Sequence, residues 1–375
     1  MGQVSYNHLI DLNRYSTNQW NDMLRLAGEI MRNPRIYENS CGGKIMGTMF
    51  YEPSTRTQMS FQSAMLRLGG GTIGFVNPSV NSSVAKGENL KDTAKVISGY
   101  CDIAVIRHNL EGAALAAAIN ADCPIINAGD GGHLHPTQTL TDLMTLKEEK
   151  GKLSGLSVGV CGDLKHGRTV HSLIKALSCY KNNRFVLIST DSLRIPEYIV
   201  KLLEDKCADY IEISSLDEAF LNYDLDVLYM TRIQRERFES QHEYKNQADK
   251  FILNVKKMKK APEKMIVLHP LPRINEIDIE VDSDPRALYF KQANYGMYIR
   301  MALILQTINY QLNPDNIPLL TGEHNSGLEC RNMKCITRTE VYLPKSFKKE
   351  SGDFICEYCE EKVKAIPHRS GVQSR

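Results

Sequence analysis

The chain lacks an excess of charge of either sign: 46 Lys and Arg stand against 44 Asp and Glu, a formal +2 over 375 residues. A protein so nearly neutral has no global field to draw in nucleic acid or an anionic membrane, so basic residues matter only where they converge. It also lacks any apolar run near the roughly 18 residues that a membrane helix needs. The opening MGQVSYNHLI has no apolar signal core, and Tyr6 stands where a myristoylation motif needs Ser or Thr. Internal repeats and low-complexity tracts are missing too. These absences lead us to expect a cytoplasmic protein with neither a membrane nor a nucleic-acid partner. With 42% hydrophobic and 24% charged residues, the composition is that of an ordinary globular chain, long enough for two domains and a small module.

What is present is an alternation. KIMGTMF (44–50), GTIGFV (71–76), IAVIRH (103–108) and PIINAG (124–129) read as buried strands, with helical spacing over 55–68, 89–99 and 110–120. A second series follows Gly155: LSVGVCGD (156–163), RFVLIST (184–190), DVLYMTR (226–232) and MIVLHPL (265–271). Near-continuous apolar strands separated by helices imply parallel sheets covered on both faces. The expected fold class is therefore α/β: two doubly wound parallel-sheet domains joined near a helix at 136–150, then a long apolar helix at 294–312. In such sheets, ligands bind beyond the carboxyl ends of the strands. There, Ser54, Thr55, Arg56 and Thr57 open a helix, where free amides, hydroxyls and a guanidinium suit an anion, most simply phosphate. Taken alone, the same four residues would serve equally as an N-cap with an incidental arginine.

The segments FYEPSTRT, GENLKDTAKVISGY, IRH, HPTQTLTDL, GDLKHGRTVHSL, YMTRIQRERF and VLHPLPRINEI, in that order across about residues 1–310, resemble the catalytic chain of the aspartate transcarbamoylase family. STRT with HPTQ marks the wider carbamoyltransferases. TRIQ with HPLPR marks the aspartate branch, since ornithine enzymes characteristically carry Cys where Pro270 stands. The resemblance implies transfer of a carbamoyl group from carbamoyl phosphate to L-aspartate. Ser54, Thr55, Arg56 and Thr57 would hold the phosphate, and Arg107 would bridge phosphate and carbonyl oxygen. Thr57, Arg107 and His135 would stabilise the oxyanion, while Gln138 and backbone carbonyls around Leu271 would fix the carbamoyl NH2. Arg168 and Arg232 would take the two carboxylates of aspartate, with Gln234 near its amino group and Lys86 also binding aspartate. Ser82 and Lys86 would come from the neighbouring subunit, giving a trimer with shared active sites, although Ala85 stands where the family commonly has a first lysine. Glu276 would pair with Arg232 or another arginine, and Leu271–Pro272 is a candidate cis peptide. No catalytic cofactor is implied. The competing expectations are transfer to another amino acid, such as ornithine, and a catalytically silent scaffold.

The implied domains are a carbamoyl-phosphate-binding domain (1–140), an aspartate-binding domain (141–293), the helix at 294–312 packing back on the first domain, a linker (313–328), a terminal module (329–366) and a flexible tail (367–375). The module holds Cys330, Cys335, Cys356 and Cys359, spaced C-x4-C, twenty residues, C-x2-C. Paired thiols on two turns suit a tetrahedral structural zinc in a small β, zinc-ribbon-like domain; disulfides and unrelated thiols are the alternatives. The strands would come from TEVYLPKSF and DFICEYC. The module resembles the zinc domain of the aspartate transcarbamoylase regulatory chain, here in cis. The expectation is that it covers a neighbouring catalytic chain and so joins trimers in pairs. The regulatory chain's nucleotide-binding domain has no counterpart. The six remaining cysteines, at 41, 101, 123, 161, 179 and 207, read as small core residues.

Overall fold

Strands that are apolar on both faces have to be covered on both faces, and the chain satisfies this twice. The structure is a computed structural model, which describes residues 8–78, 86–233, 251–308, 320–324, 327–350 and 352–363. These fall into two units, drawn from residues 1–12, 38–134 and 304–375 and from residues 13–37 and 135–303. Helix α1 (Thr17–Arg32) starts at a Ser16 capping box and counts with the second unit.

In the first unit, β1 (Ile45–Phe50), β2 (Gly71–Val76), β3 (Ile103–His108) and β4 (Ile125–Asp130) form a parallel sheet in the order β2-β1-β3-β4. Strands β3 and β4 are buried throughout, whereas β2 lies at the edge and exposes Ile73 and Val76. The connecting helices are α2 (Thr55–Arg67), α3 (Leu90–Ser98) and α4 (Ala113–Ala118).

In the second unit, α5 (Pro136–Lys150) precedes β5 (Ser157–Cys161), α6 (Arg168–Leu177), β6 (Arg184–Ile188), α7 (Glu197–Asp205) and β7 (Asp209–Ile213). Then come α8 (Leu216–Asn222), β8 (Val227–Met230), α9 (Val255–Met258), β9 (Ile266–Leu268) and α10 (Tyr289–Thr307), within which the division between units falls after Leu303. The sheet is parallel in the order β7-β6-β5-β8-β9. Strand β7 has no counterpart among the sequence expectations. As an edge strand it alternates exposed and half-buried residues, so it lacks the continuous apolar run of its neighbours.

Each sheet has one place where the strand order reverses: between β1 and β3 in the first unit, and between β5 and β8 in the second. Connections leave in opposite directions there and open a crevice at the carboxyl ends, where α/β sheets bind ligands.

The terminal module is a small antiparallel sheet, β10 (Glu323–His324), β11 (Ser346–Glu350), β12 (Asp353–Cys356) and β13 (Lys362–Val363), in sequential order. The expected strand in TEVYLPKSF is mostly turn: Val341 is exposed, and the strand begins only at Ser346. The module packs on its own first unit. The reason lies in α4, whose sequence AALAAA is buried in all six residues. So apolar a helix needs a cover on its outer side, and Ile336, Leu343, Tyr358 and the four cysteines join it in one core cluster. Glu111 forms a parallel bridge with Cys335, and Lys91 N–H donates to the Tyr342 hydroxyl at 2.8 Å. Of the six single cysteines, Cys41, Cys123 and Cys161 are buried, Cys101 is half-buried, and Cys179 and Cys207 are exposed, which corrects the core expectation for those last two.

Candidate active site and metal centre

The crevice of the first unit lies between the segments that follow β1 and β3. They are joined directly, since Tyr51 N–H donates to the Arg107 carbonyl at 2.8 Å. Ser54 is the N-cap of α2, yet its hydroxyl does not cap the helix; it donates to Thr57 Oγ1 at 3.0 Å. The first-turn amides of α2 are thus left to another acceptor, as an anion site requires. Thr57 is buried, while Thr55 and Arg56 are exposed.

Arg107 is buried at the end of β3. Its Nη1 donates to the Ala128 carbonyl at 3.1 Å, its Nη2 lies 3.2 Å from Glu52 Oε2, and its Nε has no hydrogen-bond partner among the described residues. An orphaned buried donor is costly and marks a place where a ligand can be accepted. Although Arg56 is exposed overall, partial burial of its guanidinium, and then the nearby Arg107 cation, lower its pKa. Two guanidinium groups that repel each other at a helix N-terminus make a site that an added anion would relieve.

The crevice of the second unit lies between the segments after β5 and β8. Gly162 and Thr231 are in backbone contact there, and Asp163 N–H donates to Thr231 Oγ1 at 3.1 Å. Arg168 begins α6 on one side, and Arg232 follows β8 on the other. Both are half-buried. His135, buried, is the N-cap of α5, with Pro136 at the first helical position and Thr137 Oγ1 at 3.5 Å from its Nδ1. One turn on, Gln138 Nε2 donates to Asp142 Oδ1 at 2.7 Å.

Leu271 follows β9. It has φ +52° and a cis bond to Pro272, and its N–H donates to His269 Nδ1 at 2.7 Å. Because that ring nitrogen accepts, His269 Nε2 carries the hydrogen and donates to Glu276 Oε1 at 2.7 Å. Glu276 Oε2 accepts from the amides of Ile274 and Asn275. This corrects the expected Glu276–arginine pair: the carboxylate turns inward and braces its own loop, and Arg273 pairs with Asp282 instead. Lys86 is exposed; Ser82 and Gln234 lie outside the described residues.

Ser54, Thr55, Arg56, Thr57 and Arg107 thus belong to the first unit, and His135, Gln138, Arg168, Arg232 and Leu271 to the second. Sequence reasoning missed Glu52 beside Arg107 and the buried group of Asp142, Tyr229 and Gln292. Only Asp142 left a signal, its i, i+4 spacing from Gln138 on one helix face.

In the terminal module, the sulfurs of Cys330, Cys335, Cys356 and Cys359 are all buried and lie within 4.8 Å of one another. Cys330 and Cys359 are 3.4 Å apart, and Cys335 and Cys356 are 3.9 Å apart. A tetrahedral ion with Zn–S bonds of about 2.3 Å would set its sulfurs about 3.8 Å from each other, so these four thiols fit a metal of that kind.

Comparison with known proteins agrees with the fold. Residues 7–148 match the aspartate/ornithine carbamoyltransferase carbamoyl-P binding domain, and residues 154–307 match the Asp/Orn binding domain of the same family. The chain is 58% identical over 302 residues to the aspartate carbamoyltransferase catalytic subunit of a Clostridium perfringens strain, covering 80% of this chain and 97% of that one. The chain belongs to the aspartate carbamoyltransferase family. A Clostridium kluyveri catalytic subunit is 54% identical over 304 residues, covering 81% of this chain and 98% of the relative. Among solved structures, the catalytic subunit of M. jannaschii aspartate transcarbamoylase matches with TM-score 0.77 and 45% identity, over 81% of this chain and 98% of that one. The Trypanosoma cruzi enzyme in complex with N-(phosphonacetyl)-L-aspartic acid matches with TM-score 0.76 and 36% identity, over 82% and 97%. Residues 324–366 match a different family, the metal binding domain of the aspartate carbamoyltransferase regulatory chain. Catalytic domains and a regulatory-chain metal domain thus share this one polypeptide.

Proposed function

We propose that the chain transfers the carbamoyl group of carbamoyl phosphate to the amino group of L-aspartate, giving N-carbamoyl-L-aspartate and phosphate. The observation that carries this reading is the position of the arginines. Each sheet presents a pair at its point of strand reversal, Arg56 with Arg107 in one and Arg168 with Arg232 in the other. The substrates carry a phosphate and two carboxylates between them, the groups that a guanidinium fork binds best.

In this reading, Ser54, Thr55, Arg56 and Thr57 hold the phosphate on the first turn of α2. Thr57, Arg107 and His135 donate to the carbonyl oxygen, where negative charge grows as the amine attacks. Gln138 and the Leu271 carbonyl fix the carbamoyl NH2. Arg168 takes the α-carboxylate of aspartate, Arg232 the β-carboxylate, and Gln234 stands near the amino group. Phosphate departs and can itself accept the proton lost by the amine, so the protein supplies position and charge rather than a dedicated base. No cofactor takes part in the transfer. Ser82 and Lys86 are contributed by a neighbouring subunit, so the active form is a trimer, in the cytoplasm, serving pyrimidine synthesis.

The four buried thiols hold a structural zinc, which supplies folding energy that so small a module could not find in its own core. The test is phosphate release by the purified chain with aspartate and then with ornithine. Turnover with aspartate alone supports the proposal, and turnover with ornithine alone or with neither refutes it.

A further inference from the structure

Asp142 is buried on α5, one turn beyond Gln138, and meets three donors from three elements. Gln138 Nε2 lies 2.7 Å from its Oδ1, Gln292 Nε2 from α10 lies 2.6 Å from the same oxygen, and the Tyr229 hydroxyl from β8 lies 3.0 Å from Oδ2. An oxygen that only accepts forces each glutamine to turn its nitrogen inward and so to present its own oxygen on the other side. For Gln292 the consequence is visible: its Oε1 accepts from His269 N–H at 2.9 Å. His269 in turn accepts from Leu271 N–H at 2.7 Å, holding the turn in which Leu271 has positive φ.

We infer that Asp142 is a positioning residue that makes both the Gln138 side chain and the Leu271 turn present acceptors, and so selects a substrate whose acyl carbon carries NH2. The inference rests on the proposed role of Gln138 and Leu271 toward the carbamoyl group and names what fixes their polarity. With its amide reversed, Gln138 would offer NH2 to NH2, a repulsive pairing. Burial pushes the Asp142 carboxyl up to about 7, against the pull of Gln292, Gln138 and Tyr229. In either protonation state Oδ1 remains an acceptor, because a proton would sit on Oδ2 beside the tyrosine hydroxyl. Tyr229 also interacts with the Thr169 hydroxyl, next to Arg168, so that proton has a place in the network.

The test compares carbamoyl phosphate with acetyl phosphate, which carries a methyl group in place of the NH2, and with inorganic phosphate. Dissociation constants are measured by cold titration calorimetry on the full chain. Asp142→Leu keeps the branched shape, with two methyl groups in place of the two oxygens, and removes the acceptors; the preference for carbamoyl over acetyl phosphate should fall about tenfold or more, with inorganic phosphate affinity unchanged. Asp142→Asn, which keeps one oxygen for the two glutamines, should retain most of the preference. If Asp142→Leu does not fold, Gln292→Leu removes one limb and should give a smaller fall. An unchanged ratio, or equal weakening of all three ligands, overturns the inference. Gln138→Leu separates the two levels. If it leaves the ratio intact, the role of Gln138 itself is wrong. If it abolishes the preference while Asp142→Leu does not, only the positioning role fails.

Discussion

Gly112 and Tyr358 touch at the level of the backbone: a Cβ added to Gly112 would lie 2.6 Å from both the Cβ and the carbonyl oxygen of Tyr358. Gly112 also has φ +82°, a conformation that costs a residue with a side chain roughly 1–2 kcal/mol. Glycine is needed here because the terminal module lies directly on the start of α4. Gly112→Ala should therefore loosen the module while both parallel sheets stay folded. Limited proteolysis should cut the module faster in the variant than in the wild type; equal protection would show that the contact is not needed for docking.

Removal of the proposed metal should have a larger effect. The module's four thiols are part of the same core cluster that covers the six buried residues of α4. Chelation should make these cysteines reactive to a thiol reagent and expose the apolar face of α4 to a hydrophobic dye. Cys356→Ser should do the same without chelator. A module that keeps its thiols protected in excess chelator would argue for packing, not metal, as its source of stability.

Arg107 is the residue of the first unit on which most depends. It is buried, holds the Ala128 carbonyl, faces Glu52 and keeps one donor without a hydrogen-bond partner among the described residues. Arg107→Met should lower kcat/KM for carbamoyl phosphate by roughly 10²–10³, the loss typical of an oxyanion donor. Lysine should not rescue it, because a point charge cannot reproduce the planar fork. The check is steady-state kinetics with aspartate saturating. A loss under about fivefold would remove Arg107 from the chemistry.

How much of this was legible in advance varies with the physical source of the signal. Strands such as IAVIRH announce themselves because burial on both faces keeps the run apolar until Arg107 and His108 at its carboxyl end. Strand β7, at a sheet edge, has no such constraint and was missed. The arginines of both crevices could be read because they stand at the carboxyl ends of apolar strands or in the first turn of the helices that follow, and the likeness of whole segments to a family pointed to the same residues. The partner of Glu276 could not be found that way. A buried carboxylate takes whichever donor the local turn brings to it, and here that is His269, seven residues earlier. The docking of the terminal module was equally hidden. An alanine-rich helix reads the same whether its outer face meets its own chain or another.

Glu276 also sets an acid limit on the turn that carries Leu271. Burial opposes its charge, but the His269 ring and the amide of Ile274 outweigh burial and hold its pKa below the ordinary 4.5. A carboxylate depressed in the folded state contributes stability above its unfolded pKa and loses it as pH falls through the folded value. The window therefore lies below about pH 4.5. The thermal midpoint of the wild type should fall steeply there, and Glu276→Gln should flatten that part of the curve while lowering the midpoint at pH 7. The same variant should weaken carbamoyl phosphate binding at pH 7, since an amide keeps a single acceptor oxygen and has to give up either the His269 Nε2–H or the Ile274 and Asn275 amides around the turn that holds Leu271. Melting curves of the two proteins between pH 3.5 and 7 decide the matter: parallel curves would mean that the carboxylate is not depressed by folding at all.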